Sequence, residues 1–382
     1  MSKLIFFPVF YTEISTDVLK QTINSLNKLG YESIIILFND TGNLSVIKKL
    51  LHYENIKFES KNNEWNYHQY SYVDILPFVR FQFIKNLNYY LFFIIIILIS
   101  LVRHKRNIFK ISLVLWILQY SDIRLIKITN LFHFCLYDCT DYIENKRNLV
   151  SKKHLQPIFS KVNHCFFNSI TLRDLYGSNL KNYTVIPQGF RAQSFIKKTF
   201  KKAKNMEIKI GYIGGLNDRI DYRLLNTLIK KNPQYKFELW GPVIISIHDA
   251  FDVNNEVNKL KKYQNVLISK TSKKNIPKVI SSFDIAIIPY DANNKFNKYC
   301  FPMKIMEYFY VGTPIISTPI DEQKYYESFV HIATTVKEWE KTIHLVSKKN
   351  YDWNIPTKRK ISLNNSWDNK ILAIDSVLNA SL

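Results

Sequence analysis

The chain has 382 residues, 47% hydrophobic and 22% charged, with 53 basic against 31 acidic side chains and a net charge of +22. That apolar content excludes a disordered polyelectrolyte, and the length exceeds one ordinary core, so two domains of about 150–200 residues are expected. The four cysteines, Cys135, Cys139, Cys165 and Cys300, have no paired metal spacing; buried free thiols in a reducing cytoplasm are the expectation.

In chain order, Met1-Ser-Lys runs directly into the strand-like LIFFPVF (4–10), so no secretory leader is read there. Further apolar runs at 33–38, 111–118, 134–138, 164–169 and 183–187 read as strands, with helical patterns at 16–29 and 147–159. This alternation predicts a parallel sheet wound with helices. Between these runs, Leu87 to Val102 is a sixteen-residue apolar segment followed by Arg103-His-Lys-Arg106. It falls short of the roughly 20 residues of a spanning helix, and is read either as a helix resting on a membrane or as a core helix. From Arg80 to Lys127 there are eight basic residues and one acid, Asp122, a balance that suits an anionic leaflet.

The basic stretch 197–205 reads as a linker, after which strands are predicted at 207–213, 236–241, 265–269, 284–289, 313–318 and 329–333. The fold class is therefore α/β with two Rossmann-like domains. Expected boundaries are 1–196, 206–350 and a final segment, 351–382. Ligands in such sheets bind outside the carboxyl ends of the strands.

Two motifs stand at such ends. In GYIGGLNDRIDYRLL (211–225), Gly214 and Gly215 close a strand and a helix is expected to begin near Asp218 to Asp221. Free amides there suit an anion, and Arg219 offers a bidentate contact to a diphosphate; a tight turn with a surface arginine is the plain alternative. In PMKIMEYFYVGTPIIST (302–318), one carboxylate, Glu307, lies among apolar neighbours on an expected helix. Its desolvation needs compensation. Lys304 lies three residues earlier, so the two either form a local ion pair or divide a ligand, Lys304 on phosphate and Glu307 on a ribose diol.

These motifs, with LWGPV (239–243), FDIAIIPY (283–290), LYDCTDYIE (136–144), VIPQGF (185–190) and NNSWDNKILAI (364–374) in the same order, resemble GT-B glycosyltransferases, in particular the bacterial group 1 enzymes of surface polysaccharide synthesis. The likeness runs from Ile111 to the C-terminus. It implies two domains facing a cleft, with the last helix crossing back to the first domain. It also implies transfer of a hexose from a nucleoside diphosphate sugar, UDP foremost, to a lipid-linked or polysaccharide acceptor, without metal or other cofactor. By the same resemblance Glu307 looks like the ribose-binding glutamate. Lys304, Met303, Gly214 and Gly215 look like diphosphate contacts, with Arg219 a further one and Tyr290 beside the donor. Asp138 and Asp141 look like acceptor contacts or the base. Peripheral contact with the inner face of the membrane is implied, and no nucleic-acid partner.

Departures from the family pattern are Tyr299, where retaining relatives carry a second glutamate, the opening PVFYTEISTDV (8–18) and Gln188-Gly-Phe-Arg191. Two rival readings are a polyanion binder stacking bases on Trp65, Tyr67, Tyr70 and Tyr72, and a sugar-nucleotide epimerase of the same architecture.

Overall fold

The computed structural model describes residues 2–10, 17–38, 54–60, 63–72, 74–76, 81–103, 111–118, 123–143, 152–196, 207–245, 252–348 and 354–381. The expected linker at 197–205 and the basic residues Arg80, Lys105, Arg106 and Lys110 lie outside them. The chain divides into two compact units, Met1–Gln188 with Lys370–Leu382, and Gly189–Asn369.

The first unit holds strands β1 (Ser2–Phe10), β2 (Glu32–Phe38), β3 (Glu54–Ser60), β4 (Asn63–Ser71), β5 (Ile111–Leu118), β6 (Phe134–Cys139), β7 (His164–Phe167) and β8 (Tyr183–Val185). Their order in the sheet is β3-β4-β2-β1-β5-β6-β7-β8. Every neighbouring pair is parallel except β3 and β4. Strands such as Ile34–Phe38 and Ile111–Ile117 are buried throughout, as expected where both faces of a parallel sheet are covered. β3 and β4 were not foreseen, because each is mostly polar and its alternating apolar residues, such as Ile56 and Phe58 in β3, are few. Tyr67 and Tyr70 on β4 are buried, and the Tyr72 ring packs 4.8 Å from Tyr89 and 4.9 Å from Phe38. These rings serve the core, which removes the stacking surface of the polyanion reading; the Trp65 side chain is outside the described residues.

The apolar segment proves to be a 22-residue helix, Gln82–Arg103. At 1.5 Å per residue it measures about 33 Å, so length alone does not exclude a membrane span; the sixteen-residue estimate missed the first turn, Gln82 to Asn86, and the final Arg103. One face is built into the unit. Tyr89, Phe92, Phe93 and Ile96 are buried, and the buried Asn88 accepts from the backbone amides of Ile75 and Leu76 at 2.9 and 2.6 Å.

The C-terminal helix, Trp367–Ser381, contributes Ile371, Ile374 and Leu378 to the first unit's core, against Phe7 and Trp116. Tyr31 donates to Asp375, and Lys3 to Asn379.

The second unit holds β9 (Lys209–Ile213), β10 (Lys236–Trp240), β11 (Val266–Ser269), β12 (Ile285–Ile288), β13 (Ile315–Ser317) and β14 (Val330–Ile332). The sheet is parallel throughout in the order β11-β10-β9-β12-β13-β14. Counted within the unit this is 3-2-1-4-5-6, the doubly wound arrangement whose order reverses between β9 and β12, where a ligand crevice opens at the strand ends. The helix Ile355–Asn364 also belongs here, although the sequence placed it with the final segment. Arg359 donates to the Tyr310 carbonyl at 2.9 Å and Ser362 to that of Met306 at 2.8 Å.

Candidate functional site

β9 ends at Ile213 and β12 at Ile288, so Gly214 and Tyr290 emerge side by side at the reversal point. The two loops are laced together. The Asp221 amide donates to the Pro289 carbonyl at 2.8 Å, and the Asp291 amide to that of Arg219 at 2.9 Å. The helix Tyr222–Lys231 begins where expected, just after Asp221, which caps its N-terminus by accepting from the Leu224 amide at 2.8 Å. The anion-facing feature is therefore the turn itself.

Gly214 has φ +142°, a backbone conformation that favours glycine. Its amide donates to the Trp240 carbonyl at 2.9 Å, and the Tyr212 hydroxyl donates to the Gly215 carbonyl at 3.0 Å. A Cβ at Gly241 would lie 1.9 Å from the Gly214 carbonyl oxygen, so the neighbouring strand must also be bare where the turn passes. Among the described residues no protein acceptor meets the Gly215 amide.

Lys304 opens the helix Lys304–Val311, which buries Ile305, Met306, Tyr308, Phe309, Tyr310 and Val311. That near-complete apolar girth follows directly from the composition of the segment. Lys304 turns to Tyr290, donating to its hydroxyl at 2.5 Å, with its Nζ 3.1 Å from where a Gly214 Cβ would stand. The local ion pair with Glu307 is not formed among the described residues. Burial acts to raise the Tyr290 pKa, but the Arg219 and Lys304 charges and the Lys304 hydrogen bond outweigh it and hold the phenol below its ordinary value.

Glu307 is partly buried and receives no hydrogen bond among the described residues. Burial pushes its pKa up to about 7, opposed by Lys304 and Arg191. A partly buried carboxylate with no donor among the described residues can accept hydrogen bonds from hydroxyl groups. One turn earlier on the same helix the Lys304 ammonium reaches the Gly214 turn, where the Gly215 amide has no acceptor among the described residues, whereas the Ile305 and Met306 amides already donate to the Pro302 and Met303 carbonyls at 3.0 Å each. The set can bind an anion next to a diol.

Arg219 has a different commitment from the one expected. Its Nε donates to Asn297 Oδ1 at 2.8 Å and an Nη to Cys300 Sγ at 2.9 Å, and its guanidinium stacks 4.4 Å from the Tyr290 ring centroid. Asn297 in turn donates to the Arg219 and Asp291 carbonyls, both at 3.0 Å. Arg219 thus braces the loop that carries Tyr290. Met303 precedes the helix and packs on the core.

The structure gathers Gly214, Gly215, Arg219, Tyr290, Lys304 and Glu307 in the second unit; Asp138 and Asp141 belong to the first. Asp138 is 3% exposed and accepts from Trp116 Nε1 at 3.3 Å, while its other oxygen, Oδ1, is buried without a partner among the described residues. It faces the buried Lys370, whose pKa burial lowers and Asp138 partly restores. Asp141, partly buried, sits in the turn after β6. Sequence reasoning missed Arg191, Tyr212, Asn297 and Cys300 as parts of the second-unit site. Tyr212 alone carried a signal, being two positions before Gly214 on one strand face.

No protein-family model matches the chain. Over 112 residues it is 27% identical to the putative teichuronic acid biosynthesis glycosyltransferase TuaH of Bacillus subtilis (strain 168), a match spanning 29% of this chain and only 26% of that protein. Among solved structures, a glycosyltransferase from Rickettsia africae ESF-5 superposes with a TM-score of 0.64 at 14% identity, covering 99% of this chain and 97% of that one. Anabaena HepE, solved in complex with UDP and glucose, gives 0.62 at 12% identity, covering 99% of both. Sucrose-phosphate synthase from Thermosynechococcus elongatus gives 0.62 at 11%, covering 100% and 99%. The chain has the GT-B glycosyltransferase fold.

Proposed function

We propose that this protein is a glycosyltransferase of the hexosyltransferase type. It takes a sugar from a nucleoside diphosphate sugar, UDP-linked first, and delivers it to a lipid-linked or polysaccharide acceptor in cell-surface glycan synthesis at the cytoplasmic face of the membrane. The observation that carries this reading is the partly buried Glu307 carboxylate, which receives no hydrogen bond among the described residues, on the helix whose Lys304 reaches the Gly214 turn. The UDP in the HepE structure and the surface-polymer role in the TuaH name support the choice of donor and product class.

In the reaction the bond between the anomeric carbon and the diphosphate oxygen breaks, a bond from the acceptor oxygen to that carbon forms, and negative charge grows on the leaving diphosphate. Lys304, held by Tyr290, and the Gly215 amide meet that charge in place, the kind of preorganised electrostatics that contributes most to such steps. Glu307 fixes the ribose, so that the diphosphate lies over the turn. We assign no metal to this step. If the configuration inverts, a carboxylate must take the acceptor proton, and Asp141 suits this role better than the enclosed Asp138.

The test is isothermal titration of UDP, GDP, ADP, dTDP and CMP into the parent protein and into Glu307→Ala, with and without EDTA. Binding of one nucleoside diphosphate that is lost in the variant and indifferent to EDTA is the expected result. Absence of binding by all five overturns the reading.

A further inference from the structure

Two cations act on Glu307, and only Lys304 stands on its own helix. The other, Arg191, comes from far earlier in the chain, just inside the second unit. Its segment departs from the family pattern, so the resemblance supplies no role for it. The local structure accounts for its place. Gly189 passes the later chain so closely that a Cβ there would lie 2.6 Å from the Trp367 amide nitrogen and Cα. The Phe190 amide donates to the Asn365 carbonyl at 2.9 Å, and the Trp367 amide to that of Phe190 at 3.3 Å. Phe190, 1% exposed, then sets its ring 5.9 Å from that of Tyr310, and Phe195 packs 5.7 Å from the same ring. Tyr310 and Glu307 are three residues apart on one helix and so are neighbours on its surface. Arg191 therefore leaves a pinned backbone beside the flank that carries Glu307, and its charge reaches the carboxylate. Both side chains are partly buried, where charges are screened less than on open surface.

The other charged and titratable groups packed on this helix face elsewhere. On the helix Ile355–Asn364, Lys358 Nζ stands 5.9 Å from the Phe309 ring centroid, and Arg359 donates to the Tyr310 carbonyl at 2.9 Å. Glu322 is buried beside Tyr326, which packs on Phe309. Tyr212 and Tyr290 stand around the Lys304 ammonium, burial keeps Tyr308 neutral, and Lys278 is exposed. Among the described residues the charges that oppose protonation of Glu307 are those of Lys304 and Arg191. The balance matters, because burial brings this carboxyl to about 7. A protonated carboxyl offers a donor where a diol needs acceptors.

We infer that Arg191 is a positioning residue of the donor site, which holds Glu307 in its ionised form for the ribose hydroxyls while Lys304 serves the diphosphate. This deepens the glycosyltransferase reading and rests on it for the identity of the ligand; the coupling of Arg191 to Glu307 does not.

The experiment has two arms, each followed from about pH 5.5 to 9. The first, without nucleotide, is urea unfolding of the parent and Arg191→Met, each with and without Glu307→Gln, so that the difference within each pair reports Glu307. The pH at which that difference levels off marks the folded carboxyl, and in Arg191→Met it is expected to move up by about one unit. The second arm is calorimetric titration of UDP into the parent, Arg191→Met and Arg191→Lys. Affinity is expected to rise with pH to a plateau that Arg191→Met reaches about one unit later, with about fivefold weaker binding at pH 7 and equal binding at the alkaline end. Arg191→Lys should restore the parent profile. Circular dichroism confirms folding, and Arg191→Gln serves as a second neutral variant in both arms. A plateau unmoved in both arms overturns the inference. Weaker binding by Arg191→Met at every pH, with its plateau unmoved, would make the guanidinium a direct diphosphate contact and overturn it as well. Absence of UDP binding by the parent, with the unfolding plateau still displaced, would remove the donor reading and leave the coupling of Arg191 to Glu307 standing.

Discussion

The Lys304 ammonium is held 2.5 Å from the Tyr290 hydroxyl, directly over the Gly214 turn. Three separate segments of sequence meet there, each at the end of a strand or the start of a helix. Lys304→Ala is expected to lower kcat/KM for the nucleotide sugar by about 100- to 1000-fold, the usual cost of losing one preorganised charge-stabilising group. Tyr290→Phe removes only the anchor, and a loss of about tenfold is expected, carried more by kcat than by KM if the phenol positions the ammonium for the leaving charge. Steady-state kinetics on both variants checks this.

Glu307 sets a pH dependence. Its folded pKa is raised to about 7 by burial, above the ordinary glutamate value of about 4.3. Between those values the folded state holds the extra proton, so this group's contribution to stability falls as pH rises through the window and is constant above it. Glu307→Gln removes the penalty. The variant is expected to be more stable than the parent by about 1–3 kcal/mol at pH 8, discounted for partial exposure, with a smaller difference at pH 5.5, by urea unfolding. Nucleotide affinity should move the opposite way and fall at least tenfold.

Gly241→Ala places a methyl 1.9 Å from the Gly214 carbonyl oxygen. Neither backbone can yield without parting the ends of β9 and β10. A loss of more than about 2 kcal/mol is expected, together with loss of nucleotide binding; unfolding and titration on the same sample would show both.

Arg219→Lys loses the planar fork that grips Asn297 and Cys300 and stacks on Tyr290. The expected outcome is destabilisation of about 1–3 kcal/mol with a smaller fall in nucleotide affinity than Lys304→Ala produces. A hundredfold fall in affinity at unchanged stability would mark the guanidinium as a diphosphate ligand after all.

Asp138 and Asp141 separate by the same measurements. Asp138→Ala removes the carboxylate that partly restores the Lys370 pKa and that accepts from Trp116 Nε1, which is expected to cost about 1–3 kcal/mol, and Asp138→Leu with Lys370→Met should recover part of it. Asp141→Ala is expected to leave stability within about 0.5 kcal/mol. If Asp141 is the base, kcat falls at least a hundredfold.

What was legible in the sequence was whatever depends on local pattern. Ile285–Ile288 reads as a buried strand because every residue is apolar, Ile315–Ser317 because its two isoleucines follow Thr-Pro in a short apolar run, and PMKIMEYFYV reads as a buried helix because no face of it is wholly polar. The second unit's strand ends followed, and with them the positions of Gly214, Tyr290 and Lys304. Polar strands such as Glu54–Ser60, with only two apolar residues, Ile56 and Phe58, left too short a trace.

The tertiary structure alone decided where long side chains reach. Lys304 is within reach of Glu307 on its own helix, yet it bonds Tyr290, because folding brings the end of β12 alongside that of β9 and supplies another acceptor; among the described residues Glu307 then receives no hydrogen bond. Arg219 looked free in its loop and is committed to residues 78 and 81 positions away. Asp138 sits at a strand end like a site residue, but the C-terminal helix closes over it and sets Lys370 against it. Periodicity determines which face of an element is buried, since that depends on neighbours three or four residues away. Which partner a charged group finds depends on contacts across the whole chain, and only the packed fold settles that.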